Sequence, residues 1–175
     1  LMNQLPFDHP ARMYYKNIEM LPEKTFGSVL GTLQSKLGKF DSREIAEVTS
    51  TNTIDFTDIG RKKTAVFIVI QDEKKTYHSL VTILLKQIYE TLIATAQKHG
   101  GKLPVRTNFL LDEFANMPPL KDVTTMITAA RSRQVRFTMI IQNFAQLTQV
   151  YGKENAETIK GNCGNIVYLI STELS

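Results

Sequence analysis

Asp112 and Glu113 close a short apolar run, Asn108-Phe109-Leu110-Leu111. Two adjacent carboxylates at the end of a buried strand can divide the work of phosphoryl chemistry. The first faces a magnesium ion, usually through its waters, and the second orients or polarises a water that attacks a terminal phosphate. The same letters would also describe two solvated acids where a strand meets a loop. A second apolar run, Phe137-Thr138-Met139-Ile140-Ile141, ends in Gln142-Asn143. Gln142 at such a tip could contact the terminal phosphate or the attacking water, or cap the helix that follows. Asn143 reads as a helix cap. Arg131 and Arg133 close the helix between these runs, and Arg136 opens the second run. Cations there complement a helix dipole; an arginine could also be presented to a nucleotide on a neighbouring subunit. Arg133 and Arg136 read as solvated side chains or phosphate-backbone contacts.

These residues need strands to hold them. Ala65–Ile70, Asn108–Leu111, Phe137–Ile141 and Ile166–Ile170 are apolar and β-rich, as strands buried on both faces are. Between them the spacing predicts helices. One follows the polar loop Gln71–His78, is capped by Ser79, carries Leu80, Leu84, Ile88 and Leu92 on one face, and stops at Gly100-Gly101. Others are expected at Leu120–Ser132, from Asn143 to Tyr151-Gly152, and at about Glu154–Lys160. Strands alternating with helices imply an α/β domain with a mainly parallel sheet, whose chemistry lies beyond the carboxyl ends of the strands. Residues 1–50 read as helical throughout. Pro22 suits a first turn, Phe26, Val29, Leu30, Leu33, Leu37 and Phe40 follow at helical spacing, and Asp41 or Ser42 could cap a helix through Val48.

The 175 residues, 42% hydrophobic and 22% charged, suit an ordinary globular domain and exclude wholesale disorder. A net charge of +4 permits an anionic partner without requiring one. No apolar run reaches the roughly 18 residues of a membrane span. The single Cys163 excludes an internal disulfide and a cysteine metal cluster, and reads as a small packed residue in a reduced, cytoplasmic setting. His9, His78 and His99 lack ligand spacing and read as surface or loop histidines. There is no G-x-x-x-x-G-K-[ST] phosphate loop, no G-x-S-x-G and no H-E-x-x-H. The opening Leu1-Met2-Asn3 suggests a piece of a longer protein.

The stretch Asn108-Phe-Leu-Leu-Asp-Glu-Phe-Ala-Asn-Met-Pro-Pro-Leu120 resembles the Walker B segment of type IV secretion coupling proteins, the VirD4/TraG family. So do Ala129-Ala-Arg-Ser-Arg133 and, most specifically, Gln142-Asn-Phe-Ala-Gln-Leu-Thr-Gln-Val-Tyr-Gly152. The resemblance covers about two thirds of the chain. It implies a partial RecA-like ATPase core at 51–175, the Walker B half without Walker A, preceded at 1–50 by the end of the family's all-helical domain. It further implies a hexameric motor on the inner face of the bacterial cell membrane, with ATP and magnesium as cofactors. Such a motor receives a relaxase bound to single-stranded DNA and passes it to the secretion channel. By motif Asp112 is the magnesium-side acid and Glu113 the catalytic glutamate. Arg131, eighteen residues on, matches the inter-subunit arginine finger, and Gln142, eleven further, the strand-end glutamine. The family's membrane helices, Walker A loop and the strand feeding that loop are absent, so the chain alone is expected to hydrolyse no ATP. The rival expectations are a non-catalytic partner-recognition module of the transfer apparatus and a DNA pump of the HerA or chromosome-segregation type.

Overall fold

The computed structural model describes residues 4–40, 42–51, 53–70 and 75–169, except for the side chains of Pro10, Met13, Lys39, Lys75 and Thr76. The chain divides into two compact units, Leu1–Thr53 and Ile54–Ser175.

The first unit is helical among its described residues: α1 (Pro10–Glu19), α2 (Glu23–Leu37) and α3 (Arg43–Ser50). His9 caps α1 by accepting the Ala11 N–H on Nδ1, and Pro22 stands at the N-cap of α2. Ser42 caps α3, its hydroxyl accepting the Ile45 N–H at 3.3 Å. Asp41, the other candidate, lies outside the described residues. The apolar face expected of α2 is present in spacing but not in burial. No α2 residue is buried, and Val29, Leu30, Leu33 and Leu37 are all exposed.

The second unit comprises α4 (Lys75–Lys98), β1 (Thr107–Leu111), α5 (Val123–Ala130), β2 (Val135–Met139), α6 (Phe144–Tyr151) and α7 (Lys153–Asn162). It is a mixed helical unit with a small parallel sheet, compatible with an α/β class. β1 and β2 pair in parallel, Thr107 opposite Val135 through Leu111 opposite Met139, with α5 as the crossover. One sheet face is covered. Phe109 stacks on its register partner Phe137 at 4.8 Å, and Tyr89 of α4 lies 6.2 Å from the same ring. Leu85, Ile88, Leu92 and Ala96 of α4 join that core. The Tyr89 hydroxyl donates to the Met126 carbonyl at 3.2 Å, tying α4 to α5. Gly60 is where backbone enters this core. Its φ is +84°, and a Cβ there would sit 2.9 Å from Leu92 Cδ2 and 3.0 Å from Leu103 Cδ2.

Several expectations need correction. Ala65–Ile70 and Ile166–Leu169 form no strand among the described residues, and Ile170 lies outside them. β-branched composition favours extended backbone, but a strand also needs a neighbour for its N–H and C=O groups. These runs find no ladder partner among the described residues, so Ile68 and Ile70 touch the core while Phe67 and Val69 are about nine-tenths exposed. β1 is buried on one face only, with Leu110 73% exposed. The long helix is already under way at Lys75, so Ser79 lies inside it and Lys75–His78 is not loop. Gln71–Lys74 lies outside the described residues. The Gly101 N–H closes the helix onto Ala96 O at 2.8 Å, as the glycine pair suggests. The helix expected at Leu120–Ser132 is shorter. Asp122, in left-handed backbone at φ +60°, delays its start, and Arg131–Arg133 tighten into a 3-10 turn.

Candidate functional site at the carboxyl edge of the sheet

Beyond Leu111 the backbone turns sharply. Glu113 adopts left-handed backbone, φ +48° and ψ +40°, a conformation that costs a side-chain-bearing residue about 1–2 kcal/mol. The turn is stitched on both sides. The Ile140 N–H donates to Leu111 O at 2.9 Å, and the Phe114 N–H donates to Ile140 O at 3.0 Å. Phe114 is fully buried and stacked on Tyr151, centroids 5.2 Å apart and planes 15° off parallel. The chain thus drives Phe114 into the core and leaves Asp112 and Glu113 exposed at the edge. Asp112 Oδ1 accepts the Glu113 N–H at 3.0 Å. Asn116 Nδ2 donates to Glu113 Oε2 at 2.7 Å. Downstream the loop is pinned again, where the Leu120 N–H donates to the buried Tyr151 hydroxyl at 3.2 Å.

The tip of β2 lies alongside. Gln142 is exposed two residues after Ile140, the residue that receives the Phe114 amide. Its Oε1 accepts the Gln146 Nε2 donor at 3.3 Å. Asn143 caps α6, its Oδ1 accepting the Gln146 N–H at 2.8 Å. The structure therefore brings Asp112, Glu113 and Gln142 together at one edge.

Arg131 is elsewhere. α5 runs back across the sheet, so Arg131 is exposed at the amino end of β2, and the Thr107 N–H bonds Gln134 O at that same end. Five strand residues separate the two edges, about 16 Å at the usual rise. The helix-end role falls to Arg133, whose Nη1 donates to Ala129 O and to Ser132 Oγ, both at 3.2 Å. Arg136 is exposed on the open sheet face.

Sequence reasoning passed over Asn116 and Tyr151, which shape the acid loop. A polar amide three residues after Glu113 is the only local signal for the first. Nothing short of the fold signals the second. His78 is buried within α4 and so is not a surface histidine. It lines a cleft of about 280 Å³ with Asn116, Met117, Pro118 and Pro119. His99 is exposed, its Nδ1 2.8 Å from Thr95 O. Cys163 is half-buried, its thiol donates to Ile159 O at 3.3 Å, and burial pushes its pKa up. Among the described residues no three His, Cys, Asp or Glu side chains converge as a metal cage. Asp112 nonetheless suits magnesium, a hard ion that keeps most of its waters and takes only one or two carboxylates from protein. Among the described residues no helix is long and apolar enough to cross a membrane.

Residues 1–173 match the family described as Type IV secretory system Conjugative DNA transfer. Protein VirD4 of Agrobacterium fabrum is 25% identical over 151 residues, covering 85% of this chain and 22% of that protein. Conjugal transfer protein TraG of Rhizobium radiobacter is 26% identical over 139 residues, covering 79% of this chain and 21% of that protein. The chain thus spans about a fifth of the curated relatives it matches. No solved structure matches it. A match along nearly the whole chain makes it a member of the type IV secretory conjugative DNA-transfer family.

Proposed function

We propose that this chain is the Walker B half of a RecA-like ATPase domain in a conjugative coupling protein, preceded by the end of that protein's helical domain. ATP with magnesium supplies the phosphoanhydride whose cleavage drives the motor. Asp112 holds the magnesium side through water. Glu113 orients a water and accepts its proton on the carboxylate. Gln142 contacts the terminal phosphate or that water. Arg131 serves the neighbouring subunit. The whole protein works as a homo-hexamer on the inner face of the cell membrane. It receives relaxase-bound single-stranded DNA, grips it largely by its phosphates, and feeds it to the secretion channel.

One observation carries this reading: Asp112, Glu113 and Gln142 share the carboxyl edge, while Arg131 stands at the other, about 16 Å away. An arginine at that edge is remote from its own subunit's acids, as an arginine presented to a neighbour would be. The test is a mixing experiment in the full-length protein. Glu113→Gln and Arg131→Ala each abolish ATP hydrolysis alone. Mixed rings regain part of it, because an Arg131→Ala site then receives the arginine of a Glu113→Gln neighbour. Mixtures as inactive as the parents would place the arginine in its own subunit's site and overturn the reading. The 175-residue chain by itself, without a phosphate loop, turns over no ATP.

A second reading, partner recognition by residues 1–50 without catalysis, is favoured by α2, whose apolar residues are all left unburied. Capture of a transfer-apparatus protein that requires residues 1–50 and survives Glu113→Gln would support it.

A further inference from the structure

We propose that Asn116 is a positioning residue for Glu113: its amide fixes one carboxylate oxygen and so aims the other at the open carboxyl edge of the sheet. The inference rests on the reading of Glu113 as the water-activating group. Glu113 is exposed and carries three side-chain torsions, so a left-handed backbone alone cannot hold its carboxylate in one place. The backbone around it is well fixed, by Asp112 Oδ1 on the Glu113 N–H, by Ile140 O on the Phe114 N–H, and by the Asn116 N–H on Glu113 O at 2.8 Å. The carboxylate itself is held by Asn116 Nδ2, 2.7 Å from Oε2. A carboxylate offers only lone pairs, so the amide must present its nitrogen, whichever way its two ends are assigned.

Asn116 is in turn poorly free to move. The buried Met117 follows it, then Pro118-Pro119, whose rings lock the backbone φ. An ordered donor on one oxygen leaves Oε1 as the face that meets water. Asp112, a carboxylate with lone pairs alone, cannot supply such a donor. A group of this kind acts on turnover and not on nucleotide affinity, because it touches neither phosphate nor base.

Two measurements test it. In full-length protein, Asn116→Ala and the similarly shaped, uncharged and donorless Asn116→Leu lower kcat about 10- to 100-fold, the worth of a charge-assisted hydrogen bond. KM for ATP stays within about twofold, and Asn116→Gln, which keeps the amide, recovers most of the loss. Asn116→Leu preserves the shape if the alanine variant fails to fold. In the 175-residue chain without nucleotide, Glu113→Gln moves the Asn116 side-chain amide resonances more than those of any other asparagine. Unchanged kcat in both donorless variants, a change confined to KM, or unmoved Asn116 resonances would overturn the proposal. If Glu113→Gln itself leaves hydrolysis intact, the reading of Glu113 fails instead.

Discussion

Tyr151→Phe tests the anchor of the acid loop. The Tyr151 hydroxyl accepts the Leu120 N–H at 3.2 Å, and both residues are buried. Phenylalanine keeps the stack on Phe114 at 5.2 Å and opens a void no larger than one oxygen. What changes is that a buried backbone donor loses its partner, a cost of about 1–3 kcal/mol. At about 2 kcal/mol the melting midpoint of a chain this long falls by about 4–8 °C. The pH dependence carries a second signature. Burial raises the Tyr151 pKa above the ordinary tyrosine value, with the Leu120 N–H partly opposing. The folded state therefore favours the neutral phenol. That contribution is intact below about pH 10 and is lost as pH rises through the raised folded pKa. Tyr151→Phe removes the titrating group, so the variant's stability declines less steeply above pH 10 than the parent's. Tyr89, also raised mainly by burial, remains in both and sets a common background. Urea titrations followed by circular dichroism at pH 7 and above pH 10 measure both effects. A variant as stable as the parent at pH 7, with an identical alkaline decline, would refute the reasoning.

Other changes have equally definite outcomes. Asn143→Ala removes the α6 cap and lowers unfolding free energy by about 1 kcal/mol in urea titration. Gly60→Ala combines a left-handed backbone with a Cβ 2.9 Å from Leu92, and costs about 2–4 kcal/mol by the same measurement. Gln134→Gly relieves a left-handed residue at φ +65° and raises the melting midpoint, by about 1 kcal/mol of stability. Cys163 reacts with a thiol reagent at pH 8 more slowly in the folded chain than in urea, because its burial-raised pKa limits the thiolate.

Local chemistry was largely legible in the residues. The exposed position of Asp112-Glu113 just after β1, the Asn143 cap, the glycine stop after α4 and the helices α1, α2 and α3 all depend on neighbours a few positions away. Short-range hydrogen bonds and torsional preferences settle such features. The family, too, was legible, because it is written in contiguous stretches such as Gln142–Gly152. Strand pairing was not. Ala65–Ile70 and Phe137–Ile141 look alike as apolar β-rich runs, yet among the described residues only the second includes a strand, because only it meets a described partner's carbonyls and amides. The same distinction applies to the site. Spacing alone could name Arg131 and Gln142, but the parallel register of β1 and β2 decides that Gln142 joins the acids and Arg131 does not. Asn116 on Glu113, and Tyr151 beneath the loop thirty-one residues from Leu120, depend on a left-handed turn and a long-range contact. Sequence determines which groups can bond; only the folded backbone determines which of them meet.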